Sequence, residues 1–260
     1  MTYSIGLKVS SPLSEIILNN PRKRNALSID MWASIPKLVN QAVSDTTTKV
    51  LMIHGGDAGA FAAGADISEF EKSYATARDA KVASDTIAAA LDALEYCPKP
   101  TIAAIDGACV GGGVSLAMAC DLRVASARSK FGVTPGRLGL VYPAGDTRRL
   151  MQAVGPGATK DILFTGRIFL APEAKEMKLI DRLLDDDNAL EAARTLANEI
   201  ASISQWSTRA IKQMIQGLQA DWTDKSVEAE DLFLDGFSNE DFKEGYRAFL
   251  EKRAPNFSFK

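Results

Sequence analysis

Two glycine-rich segments, each placed directly after a strand-like run, constrain the fold of this chain more than any other feature of its sequence. The first, GGDAGAFAAGAD at 55–66, follows the run at 49–53, and the second, GACVGGGVS at 107–115, follows the run at 101–105. Glycine lets the backbone approach a ligand closely, and the N–H groups that open a following helix suit a phosphate or a developing oxyanion. A tight turn without a ligand is the alternative. Neither segment matches the dinucleotide fingerprint or the phosphate-loop lysine pattern, so a nucleotide site is not predicted.

Strand-like and helical patterns alternate along the first half of the chain. The strand-like runs, rich in β-branched or aliphatic residues, lie at 3–9, 15–18, 49–53, 101–105 and 122–125. Between them, Ser28 is placed to cap a helix that ends near Asp45, and Pro36 is expected to kink this helix or to shift its start. The predicted buried face of the helix consists of Met31, Ile35, Leu38, Val39 and Ala42. The alternation predicts an α/β fold.

Helical patterns dominate the second half of the chain, from Asp146 to Leu250. Turn signals interrupt them at Gly155, Pro172 and Gly236. This change predicts a second, helical region rather than a separate fold with its own linker. We place the division between a core at 1–195 and a C-terminal helical region at 196–260.

The composition argues against several classes of protein. Of the 260 residues, 46% are hydrophobic and 24% are charged, which is typical of a soluble globular protein that buries a core without disulfides or a metal. Lys and Arg number 30 against 33 Asp and Glu, and no basic block occurs, so nucleic acid is not a predicted partner. No apolar run reaches about 18 residues and no leader pattern opens the sequence. We therefore predict no membrane span and expect a cytoplasmic location.

Histidine and cysteine are scarce, which weighs against metal and hydrolase chemistry. Cys97, Cys109 and Cys120 lie in apolar surroundings without C-x-x-C spacing. His54 is the only histidine, so no metal site is predicted. Ser115, in Gly-Val-Ser-Leu-Ala, comes close to the G-x-S-x-G nucleophile elbow, but that triad needs a histidine after the serine and His54 precedes it.

Six short sequence motifs are spread along nearly the whole chain. They are NPRKRNAL at 20–27, AFAAGADI at 60–67, IDGACVGGG at 105–113, ACDLRVA at 119–125, RLGL at 137–140 and FLEKR at 249–253. Together they make the sequence resemble the crotonase superfamily, also called the enoyl-CoA hydratase/isomerase family. The resemblance implies an α/β, crotonase-like spiral of ββα units, followed by a C-terminal helical trimerisation region. It also implies a homotrimer, or a hexamer made of two trimers.

The resemblance further implies a site for an acyl-CoA thioester, with coenzyme A as part of the substrate and no separate cofactor. By family position, the backbone N–H groups of Ala65 and Gly112 form an oxyanion hole that stabilises a thioester enolate. The residues matched to substrate binding are Arg24, Ala26, Ala63, Asp66, Ile67, Phe249 and Lys252. For Asp66 a local backbone cap is the alternative, and for Phe249 and Lys252 a solvated helix end is an equal one.

The sequence departs from the family pattern at the two glutamates that hydratases use for acid–base chemistry. Ser115 stands in the place of one, and Pro135 stands in the place of the other. Tyr142 lies in the stretch where the family's methylmalonyl-CoA decarboxylases carry a tyrosine, although a packing role explains it as well. Asp146 is either a displaced base or the N-cap of a helix. Glu69 either faces the acyl pocket or lies on a solvated helix face.

Three functions remain compatible with these observations. The first is an acyl-CoA lyase or isomerase of the hydratase/isomerase family with an unusual set of proton-transfer groups. The second is decarboxylation or thioester hydrolysis, which depends less on a protein base than hydration does. The third is a CoA-ester-binding homologue without turnover.

Overall fold

The computed structural model describes residues 4–185 and 188–259, which form two sheets surrounded by helices. The strands are β1 (Ser4–Ser10), β2 (Leu13–Asn19), β3 (Val50–His54), β4 (Ala60–Ala62), β5 (Thr101–Ile105), β6 (Ala108–Val110), β7 (Leu122–Ser126), β8 (Lys130–Gly132), β9 (Phe169–Leu170) and β10 (Arg182–Leu184). The helices are α1 (Ile29–Ser44), α2 (Phe70–Ser73), α3 (Ala77–Glu95), α4 (Gly112–Met118), α5 (Ala144–Thr165), α6 (Ala171–Glu176), α7 (Ala189–Ala201), α8 (Gln205–Ala220), α9 (Val227–Asp235) and α10 (Glu240–Glu251).

Consecutive strands divide between the two sheets. The larger sheet has the order β1-β2-β3-β5-β7-β10 and is parallel except for the β1–β2 hairpin, while the smaller sheet has the order β4-β6-β8-β9. Each of the pairs β3–β4, β5–β6 and β7–β8 therefore gives one strand to each sheet and is followed by a helix. This repeat confirms the predicted α/β spiral of ββα units.

The five strand-like runs of the sequence are all strands of the larger sheet, with ends shifted by one or two residues. Tyr3, the first residue of the first run, lies outside the described residues. Sequence patterns did not predict β4, β6, β8, β9 and β10, which have two or three residues each. A strand this short shows no alternation, so only its pairing with neighbouring strands defines it.

Helix α1 begins and ends where the sequence predicted. The Ser28 side chain accepts a hydrogen bond from Met31 N, and Asp45 follows the last helical residue. The helix starts in place and continues through Pro36. Its predicted face is buried, with Leu38 half-buried and with Trp32 as an additional, fully buried member.

The C-terminal half is less continuously helical than the sequence suggested. Gly155, with φ +76°, kinks α5 rather than ending it, and α9 ends at Asp235 as predicted. Strands β9 and β10 interrupt the predicted helical region, because β9 pairs with β8 and β10 pairs with β7. The proposed division at residue 195 falls within α7, which packs on the larger sheet through Leu196 and Ala197.

Candidate active site

Two hydrogen bonds, one on each side, hold Ala65 in place. Leu27 N donates to Gly64 O at 2.8 Å, and Asp66 N donates to Leu27 O at 2.9 Å. This is the pattern of a short parallel bridge between Leu27 and Ala65, in which the N–H of Ala65 points away from Leu27. Gly64 has φ +110°, which L side chains rarely adopt. In the first glycine-rich segment, the N–H group of Ala65 thus takes no part in the bridge with Leu27.

Gly112 opens α4 and lies against the first loop. Gly111, with φ +54°, donates to Gly132 O at 2.8 Å, which ties the turn before α4 to β8. The first N–H groups of a helix have no partner within it. A Cβ atom added to Gly112 would lie 3.5 Å from Ala65 N and 3.1 Å from the Trp32 ring. The two loops are therefore in contact, and a larger residue at Gly112 would press on Trp32.

The N–H groups of Ala65 and Gly112 are available to a ligand. Within residues 4–185 and 188–259, neither of them donates a hydrogen bond to another group of the protein. Both residues are half-buried. Adjacent backbone donors beside a helix N-terminus are suited to stabilising negative charge on a ligand oxygen. The structure brings the two predicted donors together, and their action as an oxyanion hole stays a prediction.

Three polar side chains meet one helical turn beyond Gly112. Ser115 Oγ lies 2.8 Å from Tyr142 Oη and donates to Asp146 Oδ2 at 2.9 Å. All three side chains are buried. Because the single hydroxyl proton of Ser115 goes to the carboxylate, the phenol must donate to Ser115 Oγ. The hydrogen bonds thus run in one direction, from Tyr142 through Ser115 to Asp146.

Arg149 holds the second oxygen of the Asp146 carboxylate. Its Nη1 donates to Asp146 Oδ1 at 3.2 Å, while its Nε donates to Glu95 Oε2 at 2.7 Å and its Nη2 to Asp92 Oδ1 at 2.5 Å. Arg148 adds a bond of 2.8 Å to Glu95. The Arg149 side chain is 4% exposed. A buried guanidinium with three carboxylates fixes the orientation of Asp146 from behind.

Burial sets the protonation of this cluster. It raises the pKa of Asp146, and the hydrogen bond from Ser115 and the charge of Arg149 offset this only in part. Burial also raises the pKa of Tyr142, helped by the nearby Asp146 carboxylate, so the phenol keeps its proton. A buried carboxyl with a raised pKa beside two backbone donors is suited to accepting and returning a proton.

Comparison with known proteins shows the family of this chain and agrees with its fold. A family model described as enoyl-CoA hydratase/isomerase matches residues 8–260. The chain belongs to the enoyl-CoA hydratase/isomerase family. It is 35% identical to the crotonyl-CoA hydratase of Syntrophomonas wolfei over 99% of each protein, and 31% identical to the short-chain-enoyl-CoA hydratase of Clostridium acetobutylicum over 95% of this chain and 94% of that protein. The crystal structure of an enoyl-CoA hydratase/isomerase family protein from Hyphomonas neptunium shares 68% identity and a TM-score of 0.97, covering 98% of both chains.

For this member of the enoyl-CoA hydratase/isomerase family, the structure corrects the helix-cap interpretation of Asp146. Helix α5 begins at Ala144 after Pro143, so Asp146 is the third helical residue and its carboxylate binds Ser115 and Arg149. The fixed φ of Pro143, −58°, suits the entry to a helix and starts α5 earlier than the sequence suggested. Sequence reasoning missed Arg149, although an acid and a base three residues apart on a helix is a signal that could have been used.

Glu69 is half-buried and caps a helix. Its Oε2 accepts a hydrogen bond from Ile29 N, the first residue of α1, at 2.8 Å. Asp66 has the predicted capping role, because it accepts from Ser68 N at 3.1 Å, and it also forms an ion pair with Lys23 at 2.6 Å. Both carboxylates therefore have hydrogen-bond partners within the protein, Glu69 at the start of α1 and Asp66 on the two sides of the first loop.

The remaining predicted binding residues fall into two groups. Arg24, Ala26, Ala63 and Ile67 lie along the first loop, where Ala63 N donates to Arg24 O at 3.0 Å. Phe249 and Lys252 are exposed at the end of α10, and no described hydrogen bond or ion pair joins either of them to the two loops.

Ser115 and His54, the two residues considered for a hydrolase triad, have other hydrogen-bond partners. Ser115 binds Tyr142 and Asp146, whereas Nδ1 of the buried His54 accepts from Gly56 N at 3.1 Å, so no serine–histidine pair forms. Among residues 4–185 and 188–259, no group of three or more His, Cys, Asp or Glu side chains is placed to hold a metal ion. None of the helices in those ranges is both long and apolar enough to span a bilayer.

Proposed function

We propose that this acyl-CoA enzyme forms and reprotonates a thioester enolate, with Ala65 and Gly112 as oxyanion donors and Asp146 as the proton acceptor and donor. The hydrogen bond from Ser115 Oγ to Asp146 Oδ2, one helical turn from Gly112, carries the proposal. It supplies a carboxyl group at a site where, by our sequence prediction, Ser115 and Pro135 stand in the places of the two hydratase glutamates.

The proton reaches Asp146 through two hydroxyl groups in the proposed step. The α-carbon proton moves to Tyr142 Oη as the phenol proton moves to Ser115 Oγ and the serine proton moves to Asp146 Oδ2. The electron pair of the C–H bond becomes the enolate, whose oxygen accepts from the N–H groups of Ala65 and Gly112. Return of the proton by the same route, to the same carbon or to the γ-carbon, completes an exchange or a double-bond shift.

A single relay favours isomerisation over hydration. Moving a proton between two carbons needs one group that accepts and then donates. Adding water needs the activation of a water molecule as well as protonation of the α-carbon. Among the described residues, Asp146 is the only carboxyl group that forms a hydrogen bond with Ser115.

Exchange of α-protons for deuterium tests the proposal without knowledge of the natural substrate. Butyryl-CoA is incubated with the protein in deuterated water, and exchange is followed by mass spectrometry. We expect exchange by the wild type and a loss of roughly 10²- to 10⁴-fold in Asp146→Asn. Asp85→Asn makes the same change at an exposed carboxylate and should leave the rate unchanged. Binding of butyryl-CoA without any exchange would replace the proposal by a non-catalytic binding function.

Decarboxylation is a second candidate, favoured by the protonated, buried phenol of Tyr142. Loss of carbon dioxide forms the enolate directly, and the phenol can then protonate the α-carbon. Incubation with malonyl-type CoA esters tests this function. Release of carbon dioxide that disappears in Tyr142→Phe would support it, and an unchanged ester would remove it.

We further propose that the CoA moiety lies along the first loop and the adjoining segment before α1, with contacts from Arg24, Ala26, Ala63, Asp66 and Ile67, from Phe249 of α10 and from Lys252 directly after it. Arg24 is exposed and cationic, which suits a phosphate. Replacing Arg24 by Met should raise the KM for an acyl-CoA ester and leave kcat unchanged. A fall in kcat alone would contradict this placement.

A homotrimer, or a hexamer of two trimers, is the proposed assembly. The last helices expose large apolar side chains, among them Phe233, Phe237 and Phe249, which a partner would cover. Light scattering coupled to size exclusion should give three or six times the chain mass. A monomer would contradict this proposal.

A further inference from the structure

A narrow cavity lies beside Ala65, on the side of the first loop that faces α1, α2 and α3. Its volume is about 10 Å³, the space that roughly one water molecule needs. Its main walls are Leu27, Trp32, Ala65, Phe70, Tyr74 and Ile87. The cavity is thus small, mainly apolar, and bordered by one of the two proposed oxyanion donors.

The inner walls of this cavity cannot move easily. Trp32 is 1% exposed and packs in the main core, in reach of the space above Gly112. Glu69 also lines the cavity, but the bond to Ile29 N fixes its carboxylate. Enlargement on these sides would disturb the start of α1 and the core.

The outer wall of the cavity is easier to move, because it consists of the Phe70 and Tyr74 rings near the junction of α2 and α3. Phe70 begins α2, and Tyr74 directly follows this helix, with ring centroids 4.8 Å apart. Tyr74 is 38% exposed, and its hydroxyl makes no hydrogen bond to a described residue. The Tyr74 ring can therefore turn toward solvent at the cost of its contact with Phe70.

We propose that Tyr74 determines which acyl chains the enzyme accepts, limiting it to short apolar chains. The inference rests on the proposed function, since Ala65 both borders this cavity and supplies one of the two proposed oxyanion donors. The first carbons beyond the α-carbon then occupy the space of one small group. A longer chain meets the Phe70 and Tyr74 rings, and it binds only after Tyr74 is displaced.

Calorimetric titration with butyryl-CoA and octanoyl-CoA tests this role and needs no turnover. We expect the wild type to bind octanoyl-CoA roughly tenfold more weakly than butyryl-CoA, because the longer chain overpacks the cavity. Tyr74→Ala should reverse this order, with binding about fourfold tighter for each further methylene that the opened cavity buries. Phe70→Ala should change the preference in the same direction.

Tyr96→Ala is the matched control, because Tyr96 is exposed at the opposite end of α3. It should keep the wild-type order of the two ligands. Equal chain-length profiles in the wild type, Tyr74→Ala and Phe70→Ala would overturn the inference, as would a reversal in Tyr96→Ala. If neither ester binds the wild type, the proposed function itself fails. This outcome differs from failure of the Tyr74 inference, in which both esters bind but their order does not change in the variants.

Discussion

The two backbone donors and the Ser115 cluster lie one helical turn apart at α4, and they are built in different ways. The donors depend on chain conformation, with Gly64 at φ +110° and Gly112 at a helix start. The cluster depends on side chains from α4 and α5 and on charges from α3. The comparison teaches that two neighbouring parts of one site can be built separately, one from backbone conformation and the other from side chains that meet only in the folded protein.

Removal of one backbone donor should have the largest effect. Gly112→Pro deletes the N–H at the first position of α4, where proline is compatible with a helix. Loss of an oxyanion donor costs about 2.7–4 kcal/mol, so α-proton exchange should fall roughly 10²- to 10³-fold. Gly112→Ala keeps the N–H and only presses on Trp32. Equal losses in the two variants would show that the ring contact, not the donor, is what matters.

Removal of the charge behind Asp146 should mainly destabilise the fold. Arg149→Met leaves Asp146, Glu95 and Asp92 without their shared partner, which should cost about 3 kcal/mol of unfolding free energy. Arg148→Met, at a more exposed arginine that also binds Glu95, should cost less than about 1 kcal/mol. Denaturant titration measures both. Similar losses of unfolding free energy in the two variants would show that Arg149 contributes no more to stability than Arg148 does.

Arg149→Met should also shift the pH dependence of exchange. Without the guanidinium the carboxylate is less favoured, so the pKa of Asp146 rises further and the active, ionised base appears only at higher pH. A pH–rate profile that does not move would show that Asp146 is not the titrating group.

The difference in stability between the wild type and Asp146→Asn should depend on pH in a defined direction. Burial raises the pKa of Asp146 in the folded state, so the folded wild type holds a proton that the unfolded chain has already lost. The wild type therefore loses stability as pH rises from the ordinary Asp range through the raised value, and the Asn variant does not. Unfolding free energies at pH 4 and pH 8 should show the variant gaining relative to the wild type. A pH-independent difference would argue against the raised pKa.

The smallest effect is expected for a side chain that pairs with the first loop from the segment before α1. Lys23→Met removes a part-exposed ion pair with Asp66 and should cost less than about 1 kcal/mol of stability without reducing kcat. Lys81→Met, in an exposed pair on α3, is the control of matched chemistry. A large loss of kcat in Lys23→Met would mean that side chains, and not only backbone, position Ala65.

Several parts of the fold could be predicted because their signals are local. The five longer strands have apolar runs, and α1 has Ser28 as a cap and an apolar face. The short strands β4, β6 and β8 carry no such signal, since they exist only through pairing in the smaller sheet. The helix start at Ala144 was missed because the proline before it, not Asp146, governs entry to α5.

The sequence by itself determined the family, whose resemblance implied the spiral of ββα units. It also determined the longer strands, helix α1 and the two glycine-rich segments, because apolar runs, helix caps and glycine positions are local signals. Only the tertiary structure decided that Ser115 meets Tyr142 and Asp146, that Arg149 joins Asp146 to Asp92 and Glu95, and that Glu69 caps α1. The physical reason is distance along the chain. Apart from Asp146 and Arg149, which lie three residues apart on α5, these partners lie on different elements. Their contacts exist only once α1, α3, α4 and α5 have packed around the two sheets.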